Sequence, residues 1–313
     1  MRPGQATQHF ALRRFGPGPA VARYVENYWS VRWDLTGQPA YRQELIPHPC
    51  VNLSVESGSP GEVRWGFAMP AALLHGLVTR RFTIDLTGTG RVLGVRFRPG
   101  GFAALSGHNA SALRDQVQPL WQVFGPRADV LASHVLAEED DEGRVKLTEA
   151  FLSERLPGRT PGYELVLAVV TAMLEDRSLI RVGQVTRSHG VSARTLQRLF
   201  RRYVGASPKW VLARYRLHDA ATRLEREPDV PIAAVAADAG YFDHAHFCHE
   251  FKALLGLTPA QYATQCHRAP PATSGLDHRT QRATRATGSE PSSQDRQDPC
   301  GCGYSAAMRR TSE

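Results

Sequence analysis

No apolar run in this 313-residue chain reaches the roughly 18 residues that a membrane-spanning helix needs, so neither a transmembrane segment nor a membrane partner is expected. The opening residues, MRPGQATQHFALRRF, lack the apolar core of a signal peptide, which points to the cytoplasm. Cysteine is scarce and scattered: Cys50, Cys248, Cys266, Cys300 and Cys302 form no regular framework, which excludes a disulfide-stapled secreted fold. Between residues 269 and 313 large apolar side chains are almost absent, while Ser, Thr, Gln, Arg, Pro and Gly dominate. Such a segment buries too little surface to offset chain entropy, so 269–313 is expected to be a disordered tail with free thiols. Catalytic constellations are missing too. TGTG (87–90) precedes no nucleotide-binding helix and reads as a hairpin turn. His48 and Cys50 stand in PHPC, where prolines flank the histidine and predict a rigid loop. His244, His246, Cys248 and His249 are too close along one helix to surround an ion; only His244 and Cys248, four apart, share a face. His246 is expected to pack. No metal, no cofactor and no enzymatic activity are expected.

What is present is a repeat. Residues 182–208, VGQVTRSHGVSARTLQRLFRRYVGASP, and 232–259, IAAVAADAGYFDHAHFCHEFKALLGLTP, follow one pattern. An apolar residue (Val182, Ile232) stands eight before a glycine (Gly190, Gly240), and an aromatic (Phe200, Phe251) has an apolar partner four earlier (Leu196, Phe247). A second glycine (Gly205, Gly256) follows five later and a proline (Pro208, Pro259) eight later. The copies differ by one inserted residue after the first glycine. Each copy predicts a short helix, a glycine turn and an amphipathic helix, which is a helix-turn-helix unit. Gly190 and Gly240 suit the positive φ of such a turn, and Ser192 and Asp243 are good caps for the helices that follow. Between the copies, SPKWVLARYRLHDAATRLER reads as one long linker helix with Ser207 as cap, Pro208 at its first position and arginines decorating its surface. Upstream, GYELVLAVVTAMLED (162–176) is a strongly apolar helix.

The helix faces suggest a partner. Leu196, Leu199, Phe200 and Tyr203 form one stripe of the first amphipathic helix, and Arg194, Gln197, Arg198 and Arg201 form another. Arginine grips guanine O6 and N7 bidentately, and glutamine does the same for adenine N6 and N7. In the second copy Phe247, Phe251, Leu254 and Leu255 make the core stripe, leaving His244, Ala245, His249 and Lys252 elsewhere. Residues 181–268 hold 13 Lys/Arg against 7 Asp/Glu, a net of +6 out of +8 for the chain, a surplus suited to phosphate attraction.

The amino-terminal half has another grammar. Strand-like runs recur at YWSVRW (28–33), CVNLSVE (50–56), EVRWGF (62–67), RFTIDL (81–86) and VLGVRF (92–97), separated by turn signals such as Gly37. Helical pieces follow near 101–107, 118–136 and 141–156. The expected fold class is α+β: a β-rich barrel or sandwich-like domain with helices over 1–158, then an all-α domain over 160–268.

GVSARTLQRLFRRYVGASPKWVLARYRL and GYFDHAHFCHEFKALLGLTPAQY together resemble the AraC/XylS family of bacterial transcription regulators, over a stretch from near Thr160 to Arg268. That resemblance implies a bipartite domain whose two recognition helices enter successive major-groove segments of double-stranded DNA. The first helix's base-reading positions fall on Arg194, Gln197 and Arg198, and the second's on His244, Ala245 and His249; Arg201 and Lys252 would meet phosphates. Ala245 and His249 depart from the polar or arginine side chains common there, so the first unit is expected to set most of the specificity. LIPHPCVNLSVE and VLGVRFRPGGF resemble an amino-terminal domain attached to some such regulators. The function implied is sequence-specific transcription regulation, controlled by a small-molecule effector or by homodimerisation, with RNA polymerase as a further partner. The rival class is a repair enzyme that uses the module for delivery. Cys266-His267-Arg268 resembles the active-site triplet of alkyltransferase repair proteins, but Gln265 stands where those have proline.

Overall fold

The computed structural model describes residues 9–45 and 47–267; the expected disordered tail, Cys300 and Cys302 lie outside the described residues. The amino-terminal half carries β1 (Ala11–Phe15), β2 (Val25–Leu35), β3 (Tyr41–Leu45), β4 (Asn52–Ser57), β5 (Val63–Arg64), β6 (Phe67–Ala68), β7 (Ala71–His75), β8 (Phe82–Leu86), β9 (Gly88–Phe97) and β10 (Val117–Pro119). Six of these form one antiparallel sheet in the order β1-β2-β9-β4-β7-β10, and β3–β8 and β5–β6 form separate ribbons. The domain is β-rich as expected, but its main sheet does not close into a barrel: β1 and β10 are edges.

Two segments depart from their expected roles. EVRWGF is not one strand, because Trp65 (φ 58) and Gly66 (φ 84) fold it back so that Arg64 faces Phe67. Positive φ at both central residues is the signature of a tight two-residue hairpin. TGTG is not a hairpin turn either. The chain leaves the β3–β8 ribbon at Thr87 and enters the main sheet, where Thr89 pairs with Asp34 and Gly90 with Trp33. The Trp33 ring lies where a Cβ on Gly90 would sit, at 2.2 Å, and its Nε1 donates to the Thr87 carbonyl at 3.0 Å.

Helices α1 (Gly101–Ser106), α2 (Trp121–Phe124), α3 (Arg127–Ala137) and α4 (Asp141–Ser153) follow. The expected helix over 118–136 is broken at Gly125-Pro126, where Gly125 has φ 69 and proline cannot continue a helical ladder. Leu131, Val135, Phe151 and Leu152 of α3 and α4 join Leu53, Val55, Leu93 and Val95 of the sheet in one core. Asp141 ties α4 to the sheet: it accepts from Ser30 Oγ at 2.7 Å and Arg32 Nη2 at 2.9 Å, and pairs with the fully buried Arg144 at 3.4 Å. Burial alone would raise its carboxyl, but the hydrogen bonds from Ser30 and Arg32 and the nearby guanidiniums win and hold it below the usual range.

The helical half contains α5 (Pro161–Glu175), α6 (Val182–Ser188), α7 (Ala193–Tyr203), α8 (Pro208–Arg226), α9 (Ile232–Asp238), α10 (His244–Leu255) and α11 (Pro259–His267). Units α6–α7 and α9–α10 match the repeat, and α8 is the linker helix, with Ser207 accepting from the Trp210 amide at 3.2 Å. The two units do not share a core. Tyr163, Val166, Leu196, Phe200 and Tyr203 belong to the same apolar cluster as the sheet. Leu224, Val235, Phe247, Phe251 and Tyr262 form a second, smaller one. Tyr163 also stacks on Tyr24 at 5.5 Å and donates its hydroxyl to the Arg23 carbonyl at 2.6 Å.

Candidate nucleic-acid interface

The turn between α6 and α7 reverses at Gly190 (φ 58), and Ser192 caps α7 by accepting from the Thr195 amide at 3.1 Å. From there the helical period puts Leu196 and Phe200 wholly inside and Tyr203 almost so. Opposite them Arg194, Gln197, Arg198 and Arg201 are exposed, and none has an ion-pair partner among the described residues. Three uncompensated guanidiniums on one face repel one another modestly and are available to a polyanion.

The second unit repeats the geometry. Gly240 has φ 72, and Asp243 caps α10 by accepting from the Ala245 amide at 2.9 Å. Phe247 and Phe251 are fully buried, while His244, Ala245, His249 and Lys252 are exposed. His246 departs from its expected packing role: its side chain is 60% exposed, 3.4 Å from Glu250 and edge-on to Tyr241. It precedes Phe247 by one residue, and a step of about 100° around the helix turns it off the core face. His244 and Cys248 do share a face, 3.8 Å apart, but no group of three metal-ligating residues occurs among the described residues.

The three described cysteines are held away from the reactive thiolate form. Burial pushes Cys50 up to about 12, and burial with the Glu225 carboxylate pushes Cys266 up to about 11. Cys248 is raised as well, by burial and by Asp243. A thiol becomes reactive when its pKa falls, and all three shifts run the other way.

Two linker arginines that the sequence presents as surface decoration are structural. Arg214 is buried, lies over the Trp210 ring at 4.4 Å and donates to the Thr79 carbonyl of the β-rich domain at 3.1 Å. Burial lowers its pKa to about 10, which still leaves it charged near neutrality. Arg216 donates from Nη1 to the Ile180 carbonyl, just before α6, at 3.2 Å, and from Nε to the Ala239 carbonyl, just after α9. Its guanidinium lies over the Tyr241 ring at 5.0 Å and against Gly240, where a Cβ would meet it at 2.9 Å. One side chain of α8 thus joins the backbones of both units and fixes their separation. His218 continues the contact: its ring stacks on His48 at 4.3 Å, and its Nε2 lies 3.2 Å from the Pro47 carbonyl. The PHPC segment is therefore a docking loop against the linker helix. No described helix is long and apolar enough to cross a membrane.

Comparison with known proteins finds matches to part of each half. Residues 185–265 match a family described as "Helix-turn-helix domain", and residues 13–119 match one described as "Domain of unknown function (DUF6597)". Over 95 residues the chain is 30% identical to an uncharacterized HTH-type transcriptional regulator of Haemophilus influenzae, covering 30% of this chain and 32% of that protein. Over 81 residues it is 35% identical to a Streptomyces antibioticus protein provisionally named an AraC-like transcription regulator, covering 26% of each. The chain thus spans about a third of the first relative and about a quarter of the second. Among solved structures, ToxT from Vibrio cholerae aligns with 84% of this chain and 100% of its own, at 11% identity and a TM-score of 0.38, too distant to carry anything over.

Proposed function

We infer that this chain, whose carboxy-terminal domain is of the AraC helix-turn-helix type, regulates transcription by gripping two successive major-groove segments of duplex DNA. The observation that carries this reading is the exposed, unpaired stripe of Arg194, Gln197, Arg198 and Arg201 on α7, set opposite a buried core. Arg194, Gln197 and Arg198 lie on the first turns of the helix, the part that meets base edges in this motif. Arg201, one turn on, and Lys252 in α10, both exposed, would hold phosphates. His244, Ala245 and His249 face the second segment. The amino-terminal domain, over 1–158, is the regulatory half, acting through a small-molecule effector or through homodimerisation, and the DNA-binding domain runs over 160–268. RNA polymerase is the partner that an activator of this kind would recruit. A catalytic role gains no support from the raised thiols of Cys50 and Cys266.

The test is selection of an operator from random duplexes by the full-length protein, followed by binding measurements on single-base variants. Arg198→Ala should cost about 1–3 kcal/mol on the selected operator and relax the preference at one base position. Arg201→Ala should weaken binding evenly across sequences and reduce the salt slope by about 1. Failure to enrich any sequence, or an Arg198→Ala variant with the parental preference at every position, refutes the reading.

A further inference from the structure

We propose that Phe242 reads thymine: its ring packs against the 5-methyl group of one thymine in the major-groove segment entered by α10. The inference rests on the DNA-binding reading above and adds to it a residue and a chemical group.

The two turns show where the inserted residue of the second copy sits. In the first turn the Gly190 amide donates to the Arg187 carbonyl and the Val191 amide to the Thr186 carbonyl. In the second the Gly240 amide donates to Ala237 and the Tyr241 amide to Ala236, at the same sequence separations. Tyr241 is therefore the counterpart of Val191, and both are partly buried. In the first unit the cap, Ser192, follows at once. In the second, Phe242 stands between Tyr241 and the cap, Asp243. It has no equivalent in α7.

The extra residue does not fold back onto the core. Phe242 is 107% exposed, whereas Val63, Val130 and Trp121, the next most exposed large apolar residues described, reach 62%, 56% and 52%. Among the described residues it makes no ring contact, although Tyr241 beside it packs on Phe247 at 5.3 Å. It thus stands at the amino-terminal end of α10, the end that approaches base edges, with its whole ring in water.

The chemistry of the groove selects the ligand. A phenyl ring offers no hydrogen bond, so it cannot sort bases by donors and acceptors. Thymine alone presents an apolar group, its C5-methyl, on the major-groove edge, and Phe is among the side chains that meet it. Phosphate is a poor alternative, because the neighbouring Asp243 carboxylate would repel it. Ala245, exposed in the first turn of α10, is short enough to leave the flank of the ring clear.

The experiment uses the full-length protein on its selected operator, with each thymine replaced in turn by deoxyuridine, which removes only the methyl. The parent should lose affinity about fourfold at one thymine in the segment read by the second unit, the equivalent of about 0.8 kcal/mol for one buried methyl. Phe242→Ala should bind the unmodified operator at least about fourfold more weakly, should be indifferent to that replacement, and should melt as the parent does. Phe242→Leu should keep part of the discrimination. A Phe242→Ala variant with the parental affinity and the parental deoxyuridine profile overturns the inference. So does one that binds DNA normally but fails to recruit RNA polymerase, since the ring would then meet protein. A parent that selects no operator overturns the DNA-binding reading, and this inference falls with it.

Discussion

Phe251→Ala tests whether the second helix-turn-helix unit is a separable folding unit. The ring is fully buried, 5.5 Å from Tyr262 in a T-shaped arrangement and 5.6 Å from Phe247. It lies in the smaller of the two helical clusters, apart from the core shared by the sheet and the first unit. Truncating a buried phenylalanine to alanine costs about 3–5 kcal/mol through lost transfer free energy and the cavity left behind. That loss is comparable with the whole stability of a small domain, so α9, α10 and α11 should open locally while the sheet, α5 and α7 stay folded. In native-state hydrogen exchange, amides of α9–α11 should lose roughly two to four orders of magnitude of protection, the equivalent of that energy. Those of β4, β9 and α7 should keep theirs. Phe200→Ala removes a ring of the same size from the large shared core, so protection should fall together across α5, α7 and the sheet. The reasoning is wrong if Phe251→Ala lowers protection evenly over the whole chain, or if either variant melts like the parent but fails to bind DNA.

Other consequences follow from the tie points. Arg216→Met removes the donors to Ile180 and Ala239, so it should weaken binding to the two-segment operator and widen the tolerated spacing between segments; a variant as spacing-selective as the parent refutes the clamp. Asp141→Asn should cost about 3–5 kcal/mol near neutral pH, because Arg144 is left buried without its counter-charge. The Asp141 carboxyl is held below its ordinary value, so its contribution is present above the unfolded value of about 3.9 and is lost as pH falls through the lower folded value. Urea unfolding at neutral and acid pH should therefore show the gap between parent and variant narrowing in acid, and a pH-independent gap counts against the assignment. Cys50 should resist thiol reagents in the native protein at about pH 8 and react on unfolding; fast native labelling contradicts its burial.

The helical half was legible because its information is local. Ser192, Ser207 and Asp243 cap where caps were expected, and residues three and four apart face the core. The β-rich half was legible where apolar and β-branched residues cluster between turn signals, in β2, β4, β8 and β9. Strand β1 carries Arg13 and Arg14 at an exposed edge, and β10 is three residues ending in a proline, so neither announces itself by pattern. TGTG misled because a glycine that admits the Trp33 ring looks the same in sequence as a glycine that turns the chain. At the site, the α7 stripe could be read from spacing. Arg216 could not, since its partners are carbonyls 36 and 23 residues away. Phe242 was within the visible insertion, but which residue was extra depended on pairing Tyr241 with Val191.

The division of cores sets how regulation could reach DNA. The helices of the first unit are not suspended from a linker: Tyr163, Leu196 and Phe200 are part of the cluster that fills the space over the sheet. A close-packed core transmits a shift rather than absorbing it. Any shift in the β-rich domain would therefore act directly on α5 and α7. The second unit is held differently, through the linker helix by Arg214 on Thr79, His218 beside Pro47 and His48 and Arg216 across the two units, and by Arg81 lying against Gly256 at the end of α10. These are a few polar and ring contacts, and they can be exchanged without opening a core. The orientation of α7 on the β-rich domain is thus set by a shared core, and the separation between the two helix-turn-helix units by the Arg216 tie. Cutting the chain before α5 would uncover the apolar faces of Tyr163 and Tyr203, so the full-length protein is the one to use in binding tests.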